Sequence, residues 1–145
     1  MIDDDDFEQM IKNMQRKIER EEEATFSKIV IQEYRHPNHF GLLDAPDALG
    51  EIKGPCGDTM KISLKVENGR IKDACFWTDG CGATIACGSM LTKLVRRKTL
   101  EEAADIRDED LTDMLGGLPE EHLHCSVLAV NALHDAIGKY KTKNL

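Results

Sequence analysis

Three things are missing from this chain: a membrane-length apolar run, an excess of basic residues, and an even set of cysteines. No stretch approaches the ~20 apolar residues that a bilayer-crossing helix needs, so no membrane span is expected. Acidic residues outnumber basic ones, 27 to 19, for a formal net charge of -8. Such a surface repels a phosphate backbone, and nucleic acid is excluded as an expected partner. The opening Met1-Ile2-Asp3-Asp4-Asp5-Asp6 is acidic where a secretory signal needs positive charge and a transit peptide needs arginine. Neither is expected, and a reduced, cytoplasmic setting is. The run of aspartates also lacks the D-x-D-x-D-G spacing of a calcium loop. In a reduced compartment, Cys56, Cys75, Cys81, Cys87 and Cys125 point to metal binding or thiol chemistry before disulfides.

The 145 residues suit one domain preceded by an extension. Residues 1–24 form the extension: Phe7, Met10, Ile11, Met14 and Ile18 recur at helical spacing and suit a core stripe or a partner-facing seam. Residues 25–145 form the domain. A second helix is predicted from about Thr25, with Phe26, Ile29, Val30 and Tyr34 on one side, and Pro37 stops it. Residues 36–54 read as loop. Met60 to Val66 alternates strictly between apolar and polar, Asn68-Gly69 signals a hairpin, and a second strand covers about Ile71 to Thr78. Residues 83–95 read as a helix of small residues. One or two short helices are expected between Thr99 and Leu115, with Thr99 and Glu102 as a capping box. A last helix reaches Tyr140.

This arrangement places Cys56 and Asp58 just before the first hairpin strand and Cys81 just after the second. The ends of an antiparallel hairpin are neighbours, so the topology brings the three together. Cys125, with His124 beside it, opens the last helix. Cys56, Asp58, Cys81, His124 and Cys125 are thus five candidate donors, of types that suit zinc or an iron–sulfur cluster. The spacing alone decides neither, as C-x-x-C and H-E-x-x-H are both absent. Cys75, within a strand, and Cys87, within a helix, read as small buried hydrophobes. His36, His39, His122 and His134 read as loop or surface histidines, with His122 notable for lying two residues from His124.

The segments "GPCGDTM", "DGCGATIACGSM" and "LHCSVLAVNALHDAI" carry C-G-D, G-C-G and H-C-S in that order. Together they resemble the IscU family of iron–sulfur cluster assembly scaffolds, which includes the N-terminal domain of NifU. The resemblance spans about Thr25 to Ile137. It implies an α+β fold: a small, mostly antiparallel β-sheet with helices packed on one side and the metal site at one end. It implies that Cys56, Cys81 and Cys125 hold a [2Fe-2S] cluster, with Asp58 as the site carboxylate and His124 as an exchanging ligand. Pro55, Gly57, Gly80 and Gly82 then shape the site loops. The resemblance further implies a scaffold, not an enzyme. A cysteine desulfurase of the IscS/NifS type supplies sulfur as persulfide, with Cys125 as the candidate acceptor. The finished cluster passes to apo iron–sulfur proteins. Zn2+ fits the same thiolates in an isolated form. A homodimer is also compatible with the N-terminal stripe.

The resemblance breaks in three places: residues 1–24 extend beyond the usual family start, a tyrosine often found near the family's N-terminus is Phe26 here, and the segment before H-C-S differs. Many bacterial members carry Leu-Pro-Pro-Val-Lys before H-C-S, a segment read by an Hsp70-type chaperone. Here it is Leu118-Pro119-Glu120-Glu121-His122, which puts recognition by that chaperone in question and makes His122, at the lysine position, an extra candidate ligand or proton carrier. The alternative is a zinc-binding, SufU-like sulfur acceptor that activates a desulfurase. Those relatives carry an insertion between the second and third cysteine motifs and lack the histidine of H-C-S. This chain has neither feature.

Overall fold

The computed structural model describes residues 3–144. In chain order the elements are α1 (Asp4–Thr25), α2 (Lys28–Arg35), β1 (Ala48–Lys53), β2 (Thr59–Glu67), β3 (Arg70–Thr78), α3 (Gly82–Val95), α4 (Leu100–Ala104), α5 (Asp108–Met114) and α6 (Leu123–Lys143). A 3-10 turn at Glu120–His122 leads into α6. The strands make one antiparallel sheet in the order β1-β2-β3. On β2, Met60, Ile62 and Leu64 are fully buried, and Ala74 and Phe76 of β3 extend the same core. Asn68 and Gly69 both adopt positive φ, as a tight two-residue hairpin turn requires. α6 lies across β1 and β2, while α3 lies across β3. The architecture is therefore the expected α+β sheet with packed helices. The outer edge of β3 is covered at two points. Gly41 N–H of the α2–β1 loop donates to the Phe76 carbonyl (2.7 Å) and Phe76 N–H to the His39 carbonyl (3.0 Å), while Ile71 exchanges backbone bonds with Arg97 and Lys98 (2.8 and 2.9 Å), which shortens the free edge.

Residues 36–54 are not all loop, because β1 lies within them. Its inward positions carry Ala48 and Gly50 where an ordinary strand shows bulky apolar residues, so alternation gave no signal. Close packing explains the choice. A Cβ on Gly50 would sit 2.1 Å from the Ala132 carbonyl oxygen and 2.6 Å from Ala136 N. α6 rests directly on β1 through its middle turns.

The second helix also starts later than expected. α1 runs through Thr25, Phe26 closes it, and the Ser27 hydroxyl accepts from Val30 N–H to cap α2. Ile29 is exposed; Val30, Ile31 and Glu33 are buried instead. Glu33 is held by the Ser89 hydroxyl (3.0 Å) and Lys93 Nζ (2.5 Å), the pairing a buried carboxylate needs. α1 buries none of its residues: Phe7, Met10, Ile11, Met14 and Ile18 form an exposed stripe. Its C-terminal end is tied to α2 by Glu22–Arg35 (2.5 Å).

Candidate metal centre

Three segments meet at one end of the sheet. The first is the β1–β2 loop. Gly54 N–H donates to the Asp58 carbonyl (2.7 Å) and Gly57 N–H to the Gly54 carbonyl (3.0 Å), which closes a tight loop with Cys56 exposed at its tip. Gly57 has φ 88, a conformation that favours glycine. The second is the β3–α3 connection. Thr59 N–H donates to Asp79 Oδ1 (2.8 Å), and the Thr78 hydroxyl donates to the Thr59 carbonyl (2.7 Å). These bonds hold the two hairpin ends together. Cys81 follows as the N-cap residue of α3, and Gly82 packs under the Tyr34 ring. The third is the 3-10 turn and first turn of α6, which carry His122, His124 and Cys125. Ser126 anchors this turn, accepting from the Thr112 hydroxyl and donating to the Leu123 carbonyl (both 2.9 Å).

The thiols of Cys81 and Cys125 and a ring nitrogen of His122 all lie within 4.8 Å of one another. The Thr84 hydroxyl sits between the two thiols, donating to Cys125 Sγ (3.4 Å) and lying 3.7 Å from Cys81 Sγ. Cys125 is fully buried, and its thiol is pushed up to about 11. Burial is the main cause; Cys81 and the Asp58 carboxylate add to it, and the Thr84 hydrogen bond opposes them. Cys125 is thus a protonated thiol in the metal-free chain, and a bound cation must displace that proton. Tetrahedral zinc holds sulfur at about 2.3 Å and nitrogen at about 2.0–2.1 Å, which sets neighbouring donors about 3.4–3.8 Å apart. A group already within 4.8 Å reaches that spacing by shifts of about an ångström. The donor set fits a thiophilic metal.

Of the five predicted donors, the structure brings Cys81 and Cys125 together directly. Asp58 is half-buried and near enough for its charge to act on Cys125. Cys56 projects from the loop tip. His124 Nε2 lies 3.8 Å from Cys125 Sγ, but the residue lines a cleft of about 210 Å³ between the Pro55 loop and α6. The three-donor group holds His122, the loop histidine that the sequence marked as an extra candidate ligand. Thr84 was missed; its signal was the Cys81-x-x-Thr84 spacing across a helix start.

Cys87 is buried, as expected, and burial raises its thiol well above the ordinary range. Cys75 is not a core residue: it is half-buried beside Asp73 and His39. Arg96 fills that second cluster, with Nη2 on His39 Nδ1 (2.8 Å) and on Asp73. A guanidinium stands where a metal would sit.

Residues 25–145 match the family described as NifU-like N terminal domain. The chain belongs to this family. It is 42% identical over 120 residues to iron-sulfur cluster assembly scaffold protein IscU 1 of Archaeoglobus fulgidus, covering 82% of this chain and 78% of the relative. Identity to the scaffold protein IscU of Buchnera aphidicola subsp. Baizongia pistaciae is 43% over 124 residues, 82% of this chain and 98% of that one. For the Haemophilus influenzae IscU it is 42% over 123 residues, 81% and 97%. A NifU-like N-terminal structure from Brucella abortus superposes with a TM-score of 0.63 at 21% identity, covering 81% of this chain and 94% of that one, and so shares the fold. The family domain opens at Thr25, the last residue of α1.

Proposed function

We propose that this chain is a scaffold on which a [2Fe-2S] cluster is assembled and then handed to apo-proteins. The observation that carries this is the convergence of thiols, imidazole and carboxylate from three separate segments at one end of the sheet. Thiolates bind iron and zinc strongly, so Zn2+ occupies the same donors when no cluster is present. Iron is the cargo, and sulfur arrives as a persulfide from a cysteine desulfurase. Cys125 is the proposed acceptor: its thiol attacks the outer sulfur of the donor persulfide, the donor S–S bond breaks, the donor leaves as a thiol and the persulfide is carried on Cys125. Because Cys125 is buried and protonated, docking of the desulfurase must open the site and take up that proton. The chain supplies ligands and shape; iron comes from a donor, and an external reductant supplies the two electrons per sulfur that convert the carried persulfide sulfur to the cluster's sulfide and return Cys125 as a thiol. The relatives' scaffold names favour this reading over a SufU-like zinc relay.

Anaerobic reconstitution with iron, cysteine and a cysteine desulfurase tests it, read by visible absorption and by iron and sulfide per chain. The wild type is expected to form a cluster and pass it to an apo-ferredoxin. Cys56→Ser, Cys81→Ser and Cys125→Ser are each expected to fail to hold it. Retained zinc, no cluster and an accelerated desulfurase would instead mark a sulfur relay.

A further inference from the structure

We infer that α1 pairs with the α1 of a second copy of this chain in a short antiparallel coiled coil. α1 buries none of its residues, yet Phe7, Ile11, Met14 and Ile18 stand on it 38–58% exposed. They are spaced by four, three and four residues, with Met10 flanking them. That spacing is the two-per-heptad seam of a coiled coil, narrower than the apolar face of a helix packed on a core. Its complement is therefore another helix. The stripe lies wholly before Thr25, where the family domain opens, and the domain's own core makes no use of it. The sequence of α1 complements itself. Turned end for end about the point between Lys12 and Asn13, a second α1 sets Phe7 against the partner's Ile18 and Ile11 against the partner's Met14. The twofold axis repeats both contacts, which makes four apolar layers. Beside the seam Glu8 meets the partner's Gln15 and Met10 the partner's Lys17, so no like charges flank these layers. At the next seam position Asp4 meets the partner's Glu21, and that repulsion ends the seam on both sides. Parallel pairing is disfavoured: it stacks Asp3, Asp4, Asp5 and Asp6 on their own copies and crowds both domains at one end. The antiparallel pair keeps the domains at opposite ends of a helix about 33 Å long. The seam stops at Ile18, about two turns before Phe26, whose ring packs on that of His122, so both metal centres stay clear of the seam. An anionic lipid surface is the wrong occupant, since α1 carries eight acidic and four basic residues.

The test is sedimentation equilibrium of the full, reduced chain over roughly 5–500 µM, a range that brackets a weak dimer. Four layers make a small interface, so a concentration-dependent monomer–dimer equilibrium is expected. Screening relieves the contacts between Asp4 and the partner's Glu21, and added salt should tighten the pair. Ile11→Asp puts a charge into two symmetry-related layers and is expected to weaken dimerisation at least about tenfold, with Co2+ affinity unchanged. Orientation is read separately. Phe7→Glu and Ile18→Lys should each weaken the dimer. Both together in one chain should recover most of the loss, because antiparallel layers set each new acid opposite a new base. Parallel layers would stack like on like. That recovery also shows that the single variants keep a folded α1. A chain that stays monomeric up to about 500 µM, a dimer indifferent to Ile11→Asp, or a double variant no tighter than either single one overturns the inference. So does a monomer that cosediments with phosphatidylglycerol vesicles through this stripe. These readouts hold whether or not the domain assembles a cluster.

Discussion

Gly80→Ala places one methyl group against the residue that joins the two thiols. A Cβ at position 80 would lie 2.8 Å from Thr84 Cβ, 2.8 Å from its Oγ1 and 2.9 Å from its Cγ2. Carbon pairs are at their best about 3.5–4.0 Å apart, so Thr84 must retreat by more than half an ångström. It has nowhere to go, being fully buried and β-branched at the start of α3. Gly80 is not among the glycines with positive φ, so alanine tolerates its backbone and the clash is the whole penalty. Overpacking of this kind costs about 1–3 kcal/mol. Loss of the Thr84–Cys125 hydrogen bond adds about 1 kcal/mol, while the stiffer unfolded chain returns about 0.4–1 kcal/mol. The net destabilisation is about 2–3 kcal/mol. For a urea m-value of about 1–3 kcal/mol per M, the unfolding midpoint should fall by roughly 1–2 M.

The assay is urea unfolding of the metal-free chain followed by far-UV circular dichroism, run as a double-mutant cycle with Thr84→Ser. Serine drops the Cγ2 methyl and lets the hydroxyl rotate, so the double variant should be about 1 kcal/mol more stable than the two single effects predict. Gly57→Ala is the contrasting control. Nothing lies within 4 Å of a Cβ there, but φ is 88, so about 1–2 kcal/mol is lost to backbone strain and Thr84→Ser gives no relief. Strict additivity between Gly80→Ala and Thr84→Ser would refute the reasoning, as would an unshifted midpoint for Gly80→Ala.

Burial holds the Cys125 thiol up to about 11, well above an ordinary exposed cysteine at about 8.5–9, so between those pH values the folded chain keeps a proton that the unfolded chain has released. Stability of the EDTA-treated protein should therefore fall as pH rises through this window, by at most about 3 kcal/mol, and urea midpoints should decline less steeply in Cys125→Ala. Asp58→Ala removes the one hard, anionic donor near Cys125; cluster transfer to an apo-ferredoxin should slow several-fold, and equal rates would sink the idea of a labile corner. Because α1 buries no residue, a chain lacking residues 1–24 should fold, bind Co2+ as tightly as the full chain and lose less than about 1 kcal/mol of stability, the scale of an exposed ion pair such as Glu22–Arg35.

The hairpin was legible because β2 buries one face only, so its sequence alternates, and because Asn68-Gly69 suits a turn with two positive φ values. β1 was not legible, since close approach to α6 selects Ala48 and Gly50, and small residues carry no alternation. The same limit applied at the site. Cysteines at element boundaries stood out because loops hold the backbone shapes that aim ligands. Thr84 did not, because a threonine in a helix of small residues reads as packing until the thiols appear on either side of it. His122 stood out in the sequence only as an extra candidate; what brings it to the thiols is the 3-10 turn that continues into α6 and sets His122 one turn before Cys125. The His39, Asp73, Cys75 and Arg96 cluster joins residues up to 57 positions apart, so no local pattern announces it.

The distribution of donors among rigid and pliable parts bears on how a scaffold captures and releases its cargo. Cys81 and Cys125 stand at the starts of α3 and α6, the helices that pack on the sheet, and Thr84 links their thiols. That half of the site is set by the core and costs little to organise. Cys56 and Asp58 ride on a five-residue loop closed by two backbone hydrogen bonds and exposed at its tip. Gly54 and Pro55 border the cleft against Val127 and Leu128 of α6, while Cys56 and Gly57 at the tip are exposed. Small openings of such a tip lie at the low end of a protein's stability spectrum. A cluster bound at both halves is therefore held firmly on the helix side and loosely on the loop side. An incoming thiolate should displace the loop donors first. Substituting Asp58 then changes the rate of release, whereas substituting Cys81 or Cys125 removes binding itself.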